Sequence, residues 1–224
     1  MLKKCALAIA LAVAAVAPYH AHAQTVGIGG RVGTLGLGAE AAIGLSDRVV
    51  VRGGIGLIPF EPSLTLSDID VTLELPSWYN VGLDLYLTSA MRIGGGLLFK
   101  ADDPTLTGAF TASQDIGGTT FTAQEIGTMV GVLDSKDRVP YVVIGFGKHT
   151  APGVGLFLDL GVALLGEPDF QLNAEGGTLS DDSGPLRTAL DQEATQFEED
   201  AGSYLKLWPI LSLGLRIGVG GPTR

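Results

Sequence analysis

Residues 204–218, YLKLWPILSLGLRIG, place Leu205, Leu207, Leu211, Leu213, Leu215 and Ile217 on every second position. The positions between carry Lys206, Ser212, Arg216 and two glycines, Gly214 and Gly218. A strand turns successive side chains to opposite faces, so one face of this segment is aliphatic and the other bears charge and glycine. In a soluble sheet the aliphatic face packs inward, whereas in a lipid-embedded barrel the pattern is inverted.

The same alternation recurs along the chain. VGTLGLGAEAAIGL (32–45) reads as one strand, with Leu35, Leu37, Ile43 and Leu45 opposite Glu40 and three glycines. The short SD link then leads into RVVVRGGIGLI (48–58), where Val49, Val51, Ile55 and Leu57 oppose Arg52, Gly54 and Gly56, and a hairpin is predicted. YNVGLDLYLT (79–88) and MRIGGGLLFK (91–100) form a second predicted hairpin, with Asp84 and Arg92 on the glycine-bearing face. VPYVVIGFGKH (139–149) pairs across TAPG with VGLFLDLGVALL (154–165), which carries Asp159 in mid-strand. With 204–218 these make seven strands, and an antiparallel membrane barrel with both ends on one side needs an even number. The eighth is expected in QTVGIGG (24–30) or within 119–134.

The chain opens with Lys3 and Lys4, an apolar run and the small-residue sequence AHA before Gln24, the layout of a secretory signal peptide over residues 1–23. Cys5 falls inside it, which leaves residues 24–224 as one cysteine-free barrel domain without a disulfide framework or a thiol nucleophile. Removing two of the 14 basic residues and none of the 24 acidic ones moves the formal charge from −10 to 12 − 24 = −12, so a basic footprint for nucleic acid is absent.

The glycine-rich face carries Glu40, Arg52, Asp84, Arg92, Asp159 and Arg216, three acids and three bases, and the opposite face carries no charge. A solvated sheet face is ordinarily rich in Lys, Glu and Thr. In a narrow closed barrel, glycines beside long side chains leave room for inward arginines to reach carboxylates, and closure pairs the backbone groups that lipid cannot. The fold class expected is therefore all-β, an antiparallel transmembrane barrel of eight strands in the bacterial outer membrane. The competing fold is a soluble periplasmic barrel with its leucines around a lipid cavity. Trp78, Tyr79 and Trp208 lie near strand ends, where interfacial aromatics belong.

The connections at 59–77, 101–137 and 166–203 are long, and those near 46, 89 and 151 are short, which places the long ones outside the cell and the short ones in the periplasm. TLTGAFTA and TMVGVLD have strand character within 101–137. Only PLRTALDQEATQFEEDA (185–201) has helical spacing, and it is read as a short acidic amphipathic helix in the last long connection.

RVGTLGLGAE (31–40), IGGTTFTAQEIGTMVG (116–131), VPYVVIGFG (139–147) and LWPILSLGLRIG (207–218) together resemble a family of small Gram-negative outer-membrane β-barrel proteins, mostly of unknown function. That family is broadly similar to the eight-stranded OmpA-type barrel. The expected partners are outer-membrane lipid, lipopolysaccharide and the barrel assembly machinery. No oligomer signal stands out, so a monomer is expected; no cofactor is expected, and the resemblance conveys no catalytic residues. The chain departs from such barrels where it runs past Ile217 into GVGGPTR instead of ending on an aromatic.

Chemistry is sparse. After the leader the sole histidine is His149, expected to be a solvated turn residue, and a pairing with Ser89 rests only on both lying at short turns. No Cys/His zinc spacing occurs, the acidic runs SDDS (180–183) and FEEDA (197–201) lack calcium-loop spacing, and GIGG and GGG open no helix. The expected function is non-enzymatic: a structural or surface-binding barrel whose Glu40, Asp84 and Asp159 are satisfied by Arg52, Arg92 and Arg216. A narrow pore for small solutes is the alternative.

Overall fold

The computed structural model describes residues 25–66, 69–181 and 183–219. The signal-peptide reading of residues 1–23 lies outside the described residues. In chain order the first strands are β1 (Val26–Gly33), β2 (Leu37–Gly44), β3 (Val49–Leu57), β4 (Ser63–Leu66), β5 (Ile69–Glu74), β6 (Trp78–Tyr86) and β7 (Met91–Lys100). Next come β8 (Thr105–Phe110), β9 (Gln114–Ile116), β10 (Thr119–Phe121), the one-turn helix α1 (Ala123–Ile126) and β11 (Gly127–Asp134). The chain finishes with β12 (Arg138–Phe146), β13 (Gly153–Leu164), β14 (Asp169–Gly176), α2 (Pro185–Leu205) and β15 (Leu207–Val219).

Eight antiparallel strands close into a barrel in the order β1, β15, β13, β12, β7, β6, β3, β2. The eighth strand is β1, the first of the two expected places, and it closes the ring through registers such as Ile28 with Ile217 and Gly29 with Glu40. The stretch 32–45 is not one strand. β1 stops at Gly33, Gly36 takes φ +89°, and β2 runs back from Leu37. The apolar alternation continues through this turn, so periodicity alone could not reveal it; glycine at a left-handed position does.

β2, β3, β6, β7, β13 and β15 keep the phase read from their residues, whereas Leu35, expected to face outward with Leu37, sits in the turn and is buried in the lumen. Ile28, Leu83, Ile144, Leu160 and Leu213 project outward and are exposed, while Arg31, Glu40, Arg52, Asp84, Arg92 and Asp159 are buried inside. A wall that is aliphatic outside and charged inside is inverted relative to a water-soluble barrel and suits hydrocarbon.

The three long connections do not simply lengthen the barrel strands. They contribute β4, β5, β8, β11 and β14 to a second antiparallel sheet, ordered β14, β11, β8, β5, β4. Its registers align Leu64, Val71, Gly108, Met129 and Ala174 in one row and Leu73, Leu106, Gly131 and Leu172 in the next of the same phase. The intervening row is Ser63, Thr72, Thr107, Val130 and Asn173, and the row beyond the first is Thr65, Asp70, Ala109, Thr128 and Glu175, so this sheet also has one face more apolar than the other. α2 covers part of that face: Leu186, Ala189, Leu190 and Ala194 are buried with Leu172, Ile116, Phe121 and Ile126. The helix starts at Pro185, as expected, and runs four residues beyond 201. Its acids serve as anchors, since Glu198 accepts the Phe170 N–H at 2.6 Å and Glu193 the Gly117 N–H at 3.2 Å.

Candidate functional site: the charged lumen

The lumen is layered. Toward the long connections it is apolar: Trp78, Leu98, Val139, Tyr141, Val143 and Ile210 are buried together, with Trp208 packed against them. The Trp78 and Trp208 rings lie 5.4 Å apart at 55°. This corrects the interfacial reading of Trp78 and Trp208. Trp78 shares the inward phase of Asn80 and Asp84 and is fully buried, whereas Tyr79, on the opposite phase, is the exposed neighbour.

Below that layer lie the ions. Arg52, from β3, reaches Asp159 on β13 at 2.5 Å, Asp84 on β6 at 3.3 Å and Glu40 on β2 at 3.7 Å. Arg92, from β7, meets Asp84 at 3.0 Å and also donates to Asp159. Arg31 of β1, absent from the expected set, stands 3.9 Å from Glu40 and donates to Asn80 at 2.9 Å. The glycine face makes this possible: a Cβ on Gly145 would fall 2.3 Å from the Arg92 guanidinium carbon, and one on Gly94 would fall 2.1 Å from Asp84.

Arg216 does not join the acids. It lies in the lumen on β15 but donates to the backbone carbonyls of Ala151 and, at 3.2 Å, Gly153. Arg31 takes the third basic place that the sequence reading gave to Arg216.

His149 is not a solvated turn residue. Its Nε2 lies 2.5 Å from Glu40, its Nδ1 lies 3.2 Å from the Tyr86 hydroxyl, and its ring packs 4.6 Å from Phe157. Ser89 is exposed in the β6–β7 turn, so the pairing with His149 has no support. Glu40, His149 and Asp159 come within 4.8 Å of one another, the reach of a metal site. Their donor atoms are already turned to Arg52, Arg92 and each other, and two guanidiniums at this point oppose a further cation.

Two of the missed residues had a signal. GIGGRVG alternates glycine with Ile28 and Val32 and puts Arg31 in phase with Gly27 and Gly29, and Trp78 is in phase with Asp84. Nothing in the sequence announced that the turn carrying His149 would leave the sheet.

This architecture is similar to two crystal structures from Acinetobacter baumannii. CarO superposes with a TM-score of 0.58 at 18% identity, covering 85% of this chain and 96% of CarO. CarO2 gives 0.60 at 19% identity, over 89% of this chain and all of CarO2. The chain shares their fold. No protein-family model matches it, and no curated protein does.

Proposed function

We propose that the chain is a non-enzymatic outer-membrane barrel that offers small solutes a narrow, charge-lined path, shut in this conformation by side chains. The carrying observation is the buried network of Arg31, Arg52, Arg92, Glu40, Asp84 and Asp159 inside a wall only eight strands around. A structural filling needs no ions, because well-packed apolar groups serve a lumen as well or better than buried ion pairs. Ionisable groups facing the interior of a membrane protein characteristically mark a solute or ion path. The CarO-like fold, the aliphatic outer wall and the leader over residues 1–23 support an outer-membrane setting, with biogenesis through the barrel assembly machinery and lipopolysaccharide around the long connections.

The test is the current carried by the purified, folded protein in a planar bilayer. Brief unit currents, made larger and longer by Trp78→Ala, support a closed narrow pore. Silence from both proteins, with folding verified by heat-dependent electrophoretic mobility, rejects it. A second reading, surface binding, draws on the loop sheet: Leu64 and Leu106 remain exposed on its apolar face. That reading requires no current at all.

A further inference from the structure

Three short turns share one end of the barrel, and one of them is unlike the others. Residues 45–48 and 87–90 are exposed and closed locally: Ser46 Oγ accepts the Val49 N–H at 3.1 Å and Thr88 Oγ1 the Met91 N–H at 2.9 Å. The β12–β13 connection instead enters the lumen. Its ladder pairing stops at Phe146 with Leu158, although the register would carry it further. The chain leaves the sheet at Gly147, φ +89°, and rejoins it at Gly153, φ +81°, with His149 and Thr150 almost completely buried between.

This strap crosses the inner face of β15 and reaches β1, a strand β13 does not pair with. The His149 carbonyl lies 2.0 Å from where a Cβ of Gly27 would stand, and the Ala151 carbonyl lies 2.0 Å from that of Gly218. Only glycine provides such a seat. Its fastenings come from around the ring: His149 to Glu40 on β2 at 2.5 Å, the His149 N–H to the Tyr86 hydroxyl on β6 at 3.0 Å, Lys148 Nζ to the Asp47 carbonyl at 3.0 Å, Arg216 on β15 donating to the Ala151 carbonyl, and the His149 ring against Phe157. Arg92 donates to the Gly147 carbonyl at 2.9 Å.

We infer that residues 148–152 are the inner gate of the lumen, with Gly147 and Gly153 as hinges and His149 as the latch to Glu40. The inference rests on the pore reading above. A segment held by a few polar bonds and one ring contact between two left-handed glycines swings out without breaking a barrel ladder bond, which is the structural content of a hinged closure. Its removal clears the mouth opposite the Trp78–Trp208 layer.

The experiment uses the mature protein in planar bilayers. Gly27→Ala puts a methyl where the His149 carbonyl lies and unseats the strap. Because the Trp78–Trp208 layer stands in series with it, Gly27→Ala is added to Trp78→Ala, where unit conductance is expected to rise at least tenfold over Trp78→Ala alone while heat-dependent mobility is kept. In a Thr150→Cys background, otherwise free of thiols once residues 1–23 are gone, a charged methanethiosulfonate is expected to react at least tenfold faster when Gly27→Ala is added. A folded Gly27→Ala/Trp78→Ala protein that conducts no more than Trp78→Ala, with a wild-type thiol rate in Gly27→Ala, overturns the gate and leaves the pore reading standing. A faster thiol rate without current, even in the Gly27→Ala/Trp78→Ala double variant, sinks the pore reading and the gate's purpose with it. If Gly27→Ala does not fold, Thr150→Cys alone decides: modification that tracks open time supports the gate, and none during sustained current refutes it.

Discussion

Arg52 Nη1 lies 2.5 Å from Asp159 Oδ2, joining β3 to β13 across the lumen over 107 positions of sequence. Asp159 also accepts from Arg92, so one carboxylate holds two guanidiniums, all three nearly without solvent access. Asp159→Asn leaves two buried cations short of their counter-charge. Breaking a buried pair by removing one partner costs about 3–5 kcal/mol. Urea unfolding of the detergent-folded barrel is expected to show the lower midpoint that this loss implies, and an unchanged midpoint would separate Asp159 from any role in holding the lumen together.

Trp78 fills the other end of the lumen, packed on Trp208 and without solvent exposure. Trp78→Ala creates a cavity where an indole stood, and such truncations cost about 3–5 kcal/mol. The same variant thins the apolar layer, so lower stability and higher current are expected together. Trp78→Phe, which keeps most of the apolar volume, is expected to recover most of the stability and to bring the current back to the wild-type level. Current that follows ring volume assigns the constriction to this layer.

What the residues revealed and what they concealed divide along one line. Period two is local, so the phase of Asp84, Arg92 or Leu213 was legible from a few neighbours, and with it the inverted polarity of the wall. Nonlocal pairing left no such mark. β4, β5, β8, β11 and β14 come from three separate connections, and nothing in TLTGAF or TMVGVLD says that they pair with each other and not with a barrel strand. The turn at Gly36 hid inside an uninterrupted alternation, and the exchange of Arg216 for Arg31 beside Glu40 follows from the β12–β13 connection, whose Ala151 and Gly153 carbonyls take Arg216 although the register sets it in the row of Glu40. His149 was misread because a turn is ordinarily a surface feature.

Leu213 stands at mid-strand on β15, opposite Val32 and Leu158, with half its surface exposed. If its surroundings are hydrocarbon, Leu213→Arg costs about 2–4 kcal/mol near the bilayer midplane. In water the same exposed substitution is worth about 0.5 kcal/mol or less in either direction. Comparative refolding into lipid vesicles is expected to give the larger loss, and a neutral result would turn the wall toward water.

α1 offers a pH-dependent feature outside the barrel. Thr122 Oγ1 accepts the Glu125 N–H at 3.3 Å, and the Glu125 carboxylate accepts from the Thr122 N–H and hydroxyl, each at 2.8 Å, a reciprocal capping box. These two donors hold the Glu125 carboxyl below its ordinary range. A carboxyl lowered by folding contributes order that is present above its unfolded pKa and is lost as pH falls through the folded value. Ile126, next in the chain, is fully buried against the α2 core, so fraying of this turn reaches the packing of the loop sheet. Amide exchange at Thr122 and Glu125 is therefore expected to accelerate on acidification below the usual carboxylate range, while the barrel amides stay protected. Glu125→Gln, which cannot titrate, is expected to remove that pH dependence, and an acid-sensitive exchange that survives in it would place the titrating group elsewhere.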